Sequence, residues 1–314
     1  MKAMSKFFLI VSGAIALIGV VLMIIASGMA KKTGYQLYQK KVGGKYLYEL
    51  DLEGSDVAKI SVNATDTDIR VMTGESRNYI EFINFNPNYY SIDTRNKIVT
   101  FDEHASLNSI LSVWEGEYSF KGMRSFLNLG GVVSGQKEVL IHLKDTSGIN
   151  CFFFTITTGD ITFGAADSMT DYNITMTSGT VTMKDVKTTS TVKISANDCK
   201  LKFENCSFKN FEGDIEKADM TLEIDGIHSF DFGGNSGILN GKLSPETPEC
   251  SVKLSSTNMI TYNSTVITES EYTNADDRKE IKDTDDTIKV DGKDLKINLE
   301  VTFPDAGTEE KAED

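Results

Sequence analysis

The sequence contains few of the residues from which metal sites and disulfide frameworks are built. Its 314 residues include four cysteines, three histidines, four prolines and one tryptophan. No two cysteines form a CxxC pair, and no two histidines form an HxxxH or HxH pair, so the sequence predicts no metal site and no cofactor. The acidic turns at Asp66 and Asp68 and the acidic run at residues 283–286 match no calcium-binding loop, and we expect both to be solvated.

Catalytic motifs and an excess of basic charge are missing as well. The sequence has no GxSxG nucleophile motif, no GxxxxGK[ST] phosphate-binding loop and no dinucleotide-binding glycine pattern. No catalytic residue is therefore predicted, and we expect that the chain is not an enzyme. The formal net charge is −14 at pH 7. Nucleic acids bind basic faces that release counterions, so the charge excludes a nucleic-acid partner and leaves cationic or metal-bridged partners open.

One long apolar segment is present at the start of the chain. Residues 7–30 form an uncharged run, and Lys2 and Lys6 precede it. A helix of this length spans the roughly 30 Å of a bilayer core. The apolar part of a cleaved signal peptide is shorter, about 7–15 residues. The sequence therefore predicts a single transmembrane helix, a signal anchor in contact with membrane lipid, and cleavage near Ala30 is the alternative.

Two opposing signals bear on the orientation of this helix. More lysines follow the helix than precede it, and the positive-inside rule alone would place the following domain in the cytoplasm. A short basic flank before a long apolar run is also typical of exported, signal-anchored proteins, and long domains cross the membrane largely regardless of charge. We expect a single-pass protein of the cell membrane whose β domain is extracytoplasmic.

The middle of the chain repeats a β pattern about every twenty residues. Between Cys151 and Leu243, an apolar residue is followed five positions later by another in four successive segments, with a polar turn between them. The pairs are Ile156 and Ile161, Met176 and Val181, Ile194 and Cys199, and Ile215 and Met220. Cys199 is thus expected to be a small buried residue and not a disulfide partner. One unit is too small to bury its own apolar face, so the fold class is mainly β, a β-solenoid of stacked repeats behind the N-terminal transmembrane helix.

An insertion at residues 102–136 interrupts the β pattern that precedes the repeats. It contains the only tryptophan, Trp114, together with Phe120 and Phe126. Exposed apolar side chains of this kind usually contact a partner, so these three are the candidate partner-binding residues. The alternative is that the insertion covers an open end of the repeat core as a cap.

These patterns divide the chain into five parts. Near the C-terminal end, residues 287–303 alternate as two strands, and Asp291 and Gly292 are predicted to form the turn of a hairpin between them. The parts are a transmembrane helix (1–30), a basic juxtamembrane linker (31–45), an N-terminal β layer (46–144, with the insertion 102–136), the solenoid repeats with the C-terminal hairpin (145–303) and an acidic tail (304–314).

The layout resembles a bacterial family known as putative adhesins, a membrane-anchored β-repeat domain of unknown function. The resemblance rests on ISVNATDTDIRV, on the strand EVLIHLK and on the succession TTGDITF, TSGTVTM and SANDCKLKF. It covers residues 58–243 apart from the insertion, and the usual proline at the entry into the first repeat is missing after Leu143. It implies a β-solenoid in which a strand with a G-D-[IV] turn recurs. The family has no established catalytic residues, so none is carried over.

Two classes of function fit this layout. A carbohydrate-active enzyme on stacked repeats needs a pair of carboxylates about 5–10 Å apart on adjacent units. Equivalent outward positions contain no carboxylate: Thr162, Thr182, Lys202 and Thr221. At the turns, only Asp198 and Asp219 are expected to be neighbours. We therefore predict a non-enzymatic, membrane-anchored surface or envelope protein that binds an envelope polymer or a membrane-protein partner. The alternatives are a carbohydrate-active enzyme and an accessory protein of an envelope-stress system.

Overall fold

The structure is a computed structural model that describes residues 36–42, 45–54, 56–85, 90–103, 135–247, 250–267, 270–273 and 286–304. These residues are mainly β, as predicted, and include no helix. Within these ranges there is accordingly no helical segment of the length and apolarity that a membrane crossing requires. The transmembrane helix predicted for residues 1–30 lies outside them.

Eighteen strands make up the described part of the chain, and hydrogen bonds connect all of them into one sheet. Buried and exposed side chains alternate along most of these strands, which directs one face to the core. The strands are β1 Gln36–Val42, β2 Lys45–Asp51, β3 Lys59–Ala64, β4 Thr67–Met72, β5 Tyr79–Ile83, β6 Tyr90–Asp93, β7 Ile98–Glu103, β8 Lys137–His142, β9 Cys151–Phe163, β10 Ala166–Ser168, β11 Asp171–Lys184, β12 Val186–Ile227, β13 Ser229–Pro245, β14 Cys250–Ser255, β15 Ile260–Tyr262, β16 Thr265–Ile267, β17 Ser270–Thr273 and β18 Asp286–Val301.

Five long strands form a parallel series in the middle of the sheet. The series runs β9, β11, β12, β13 and β18, and each strand pairs in parallel with the one before it. Its first steps advance by twenty residues, because Ile161 is in register with Val181 and Val181 with Leu201. The twenty-residue repeat predicted from the sequence is therefore confirmed, and each repeat is called a unit below.

Two further units precede the parallel series, and each consists of two short strands. β3 and β4 pair in parallel with the first and second halves of β9, so that Ile60 lies opposite Phe152 and Ile69 opposite Ile161. β7 and β8 pair in parallel with β3 and β4. The predicted insertion thus lies inside a unit, between its halves β7 and β8. Antiparallel strands flank these units, with β6 beside β7 and with β5, β2 and β1 beyond β8.

One continuous hydrophobic core extends through the N-terminal strands and the parallel series. The residues predicted to face inward, Ile156, Met176, Ile194 and Ile215, are at most 4% exposed, which confirms their orientation. Large aromatic rings fill much of the interior. Phe101, Phe152, Phe163, Tyr172, Phe211 and Phe230 are among those buried almost completely. Shared burial of these side chains is what holds neighbouring units together.

The unit that contains Cys199 is aligned two residues away from the predicted register. Leu201 is in register with Val181, whereas Cys199, which was predicted there, lies beside Gly179. A shift of two residues leaves every side chain on its own face of the strand, so an apolar pattern alone does not distinguish the two alignments. Cys199 is nevertheless 1% exposed and a free thiol, as the sequence predicted.

β18 occupies the next place in the parallel series although it comes much later in the sequence. Ile288 lies opposite Phe230 of β13, and β14 and β15 pair with the other side of β18. Asp291 and Gly292, predicted as a hairpin turn, lie within this single strand, where Gly292 is in register with Gly234. The predicted hairpin turn is therefore wrong: aspartate and glycine favour a tight bend, but here the strand continues through both residues.

Candidate ligand-binding groove

The candidate partner-binding residues Trp114, Phe120 and Phe126 lie outside the described residues. The structure does describe both ends of the insertion that contains them. Lys137 Nζ donates hydrogen bonds to both carboxylate oxygens of Glu103, at 2.6 and 2.8 Å. Only 20% of the Lys137 side chain and 14% of the Glu103 side chain are exposed. The insertion therefore leaves the sheet and re-enters it at one corner, which this ion pair holds together.

A groove of about 740 Å³ lies on the outer face of the parallel series, beside the β15–β16 hairpin. We call it the polar groove. Phe203, Leu222 and Leu299 also line it, but their side chains, each about 2% exposed, belong to the hydrophobic core on the other face of the strands. A volume of this size falls within the range of about 300–1,000 Å³ typical of ligand sites, which combine apolar walls with a few placed polar groups.

The first row of polar side chains in the groove occupies equivalent outward positions of successive units. It consists of Thr182, Lys202, Thr221, Asn240 and Asn298. Asn298 Nδ2 donates a hydrogen bond to Asn240 Oδ1 at 2.8 Å. Thr261 of β15 is in register with Asn298 and extends the row. Hydroxyl, amide and amine groups thus present both donors and acceptors along several units. The sequence predicted Thr162, Thr182 and Lys202 as equivalent outward positions, and the register confirms these three.

A second row, two residues further along each strand, is charged. It consists of Glu204, Glu223, Lys242 and Glu300. Glu204 Oε1 accepts from Lys184 Nζ at 2.7 Å, and Lys242 Nζ lies 3.7 Å from Glu300 Oε2. Exposed ion pairs of this kind add little to stability, so these side chains can exchange their partners for a ligand. The sequence analysis missed this row because it compared only the positions two residues earlier.

Asp198 and Asp219 are the two turn carboxylates that the sequence predicts to be neighbours. Lys217 Nζ donates a hydrogen bond to Asp198 Oδ2 at 2.9 Å. On the side away from Asp198, Asp219 is in register with Ile238 of β13. The adjacency of the two aspartates stays a prediction, and what the structure shows for Asp198 is its ion pair with Lys217. An exposed carboxylate bound to a lysine is poorly suited to act as a general acid, so Asp198 does not favour a glycosidase.

Comparison with known proteins identifies similar solved structures only at low identity. No family model matches the chain, and no curated protein matches it. A "putative cell adhesion protein" from Clostridium sporogenes is 15% identical, with a TM-score of 0.35, over 85% of this chain and 100% of that one.

Two further solved structures are similar to a comparable extent. A "putative adhesin" from Bacteroides fragilis is 8% identical, with a TM-score of 0.33, over 83% of this chain and 99% of that one. A "Putative lipid binding protein" from Parabacteroides distasonis is 13% identical, with a TM-score of 0.27, over 83% of this chain and 94% of that one. The similarity to putative adhesins that the sequence indicated is thus also found among solved structures, at identities and TM-scores too low to assign this chain to a family or a function.

Proposed function

We propose that this chain is a non-enzymatic surface or envelope protein that binds an extended polymer in the polar groove. The observation that carries the proposal is the repetition of polar side chains at equivalent positions of successive units. Neighbouring strands lie about 4.8 Å apart, so a polymer that crosses them meets a similar set of groups at each step. In this proposal the parallel series is a β-solenoid, and its outer face is the binding surface.

The chemistry of the two rows favours a polysaccharide over a protein ligand. Threonine hydroxyls and asparagine amides donate and accept hydrogen bonds, as sugar hydroxyls do. In the second row Lys242 stands between Glu223 and Glu300, so that the row contains both signs of charge. We infer a hydroxyl-rich polymer, held near the membrane by the predicted N-terminal anchor.

Removal of the amide pair tests this proposal. The double variant Asn240→Ala, Asn298→Ala should bind purified cell-envelope polysaccharide about ten-fold to thirty-fold more weakly, because two sets of hydrogen bonds worth about 1 kcal/mol each are lost. Binding is measured by biolayer interferometry with the full chain in detergent. The matched control is Lys209→Ala, an exposed side chain of β12 outside the groove lining. Equal binding by the double variant and the wild type would contradict the proposal.

One observation favours a carbohydrate-active enzyme as the second candidate. Glu204 and Glu223 occupy the charged row of the same groove, and paired carboxylates perform glycoside hydrolysis. A general acid works in water-poor surroundings, however, whereas both residues are exposed and Glu204 is bound to Lys184. Polysaccharide cleavage that disappears in Glu204→Gln and in Glu223→Gln would support the enzyme. Binding without cleavage supports the non-enzymatic module.

A further inference from the structure

Three side chains of types that bind metals meet at one edge of the parallel series, outside the lining of the polar groove. His228 follows β12, Glu246 follows β13 and Asp286 begins β18. One ligand atom of each side chain lies within 4.8 Å of the others. Backbone hydrogen bonds fix the corner, since Glu246 N donates to Ile227 O at 3.1 Å and Thr287 N donates to His228 O at 2.9 Å. Residues from three segments of the chain are therefore brought together by the main chain.

Asp286 is the unusual member of this cluster because its carboxylate is completely buried, at 0% exposure. The sequence indicated a solvated acidic loop here. Thr247 donates two hydrogen bonds to Asp286 Oδ2, from its backbone N at 2.6 Å and from Oγ1 at 2.9 Å. The other oxygen, Oδ1, lies 2.8 Å from His228 Nδ1. A buried carboxylate costs several kcal/mol unless it is paired, and hydrogen bonds that orient it from behind are typical of metal ligands.

The cluster opens to solvent on its other side. The His228 side chain is 34% exposed, and Glu246 is exposed. An ion can therefore enter without unfolding the corner, and water can complete its coordination. One imidazole and two carboxylates suit zinc, whereas calcium and magnesium prefer sites made of oxygen ligands alone.

We propose that His228, Glu246 and Asp286 bind one Zn²⁺ ion. Ligand atoms at about 2.0–2.2 Å from a tetrahedral zinc lie about 3.3–3.6 Å from one another. The Nδ1–Oδ1 distance of 2.8 Å therefore has to widen by about half an ångström or more, and the exposed Glu246 side chain has to move inward. Both changes are side-chain rotations at a corner whose backbone is already held.

The ion would connect the two ends of a long excursion of the chain. After β13 the chain leaves the series to form β14 to β17, and it returns at β18. The corner contacts between Thr247 and Asp286 already span 39 positions of sequence. Zinc binding to residues on both sides of this excursion would stabilise the folded state relative to the unfolded chain, by an amount that grows with the logarithm of the free zinc concentration above the dissociation constant.

The test uses the full chain purified in detergent without a histidine tag, treated with a chelator and then dialysed. Isothermal titration with ZnCl₂ should give one site per chain, and zinc should raise the midpoint of thermal unfolding. Glu246→Gln, a change at an exposed side chain, should weaken the affinity at least ten-fold and abolish most of the rise in the midpoint. Glu216→Gln, at an exposed carboxylate outside the cluster, is the matched control and should bind zinc like the wild type.

A second variant changes Asp286, the buried ligand of the proposed site. Asp286→Asn keeps the shape of the side chain and should also lose zinc binding, provided that its circular dichroism spectrum shows that the chain is folded. If Asp286→Asn does not fold, His228→Gln is measured in its place. Absence of zinc uptake by the wild type overturns the proposal, and so does uptake that Glu246→Gln leaves unchanged. Neither result bears on the polar groove, because none of these residues lines it.

Discussion

Three glycines are required at the corners of units by both backbone conformation and space. Gly159, Gly179 and Gly237 have φ angles of 139°, 142° and 124°. A Cβ atom at Gly179 would lie 1.9 Å from the carbonyl oxygen of Gly159 in the unit before. Residues other than glycine rarely adopt these angles, and no side chain fits against a backbone so close. Each of these three glycines is therefore needed where it lies, although Cys199 is the register partner of Gly179 and Ala218 that of Gly237.

Gly179→Ala should lower the free energy of unfolding by about 2–4 kcal/mol, because the strained φ and the steric conflict add up. Gly233→Ala is the matched control, since a Cβ atom there meets nothing within 4 Å. It should change stability by less than about 0.5 kcal/mol. Urea denaturation followed by circular dichroism measures both variants. Similar stabilities of the two variants would show that the corner tolerates a side chain.

Three cysteines connect stability to alkaline pH. Burial raises the pKa of the Cys199 and Cys250 thiols to about 12 and that of the Cys206 thiol to about 11. In the unfolded chain, these thiols have a pKa near 8.5 and ionise more readily. The folded state thus keeps protons that the unfolded state releases, and the stabilisation is complete below about pH 8.5.

The free energy of unfolding should therefore fall as the pH rises from about 9 towards 12. Urea denaturation at pH 7, 9 and 10.5 measures the slope. Buried tyrosines also contribute, since burial raises the pKa of Tyr172 to about 12 as well. The variant Cys199→Ala isolates the thiol, and its stability should fall less steeply than that of the wild type. An equal slope in the variant would exclude Cys199 as a source.

At the scale of elements, local patterns predicted which residues form strands and which side chains face the core. Ile156 and Met176 face inward as their period-two pattern indicates. The order in which distant strands pair was not predictable in the same way. β18 joins β13 across a long excursion, and nothing in the local sequence of Asp291 and Gly292 distinguishes a continuing strand from a hairpin turn.

The polar groove illustrates the same limit for the candidate site. Its first row follows from counting equivalent positions in consecutive units, which a sequence allows. The asparagine pair Asn240 and Asn298 cannot be found by such counting, because the two residues come from strands that become neighbours only in the folded sheet. The zinc cluster depends likewise on His228 and Asp286, which are 58 positions apart. Contacts between distant segments require the topology to be known first.

At the scale of the whole molecule, the proposed anchor predicts the side of the membrane on which the β domain lies. Alkaline phosphatase, fused after Asp314, should be active, because this enzyme folds only outside the cytoplasm of bacteria. The same fusion without residues 1–30 is the control and should be inactive. A fluorescent protein that matures only in the cytoplasm should give the opposite pattern. Activity of the fluorescent fusion alone would place the β domain in the cytoplasm and exclude an envelope polymer as its ligand.

The place of β18 in the sheet has a consequence for biosynthesis. A ribosome makes β13 well before it makes β18, and β14 to β17 emerge in between. During that interval one edge of β13 has no partner, and an open parallel edge is a site for wrong pairing and aggregation. β14 must also stay apart from β13, because β18 later pairs with both. The final units of the sheet therefore close only after translation has passed Val301.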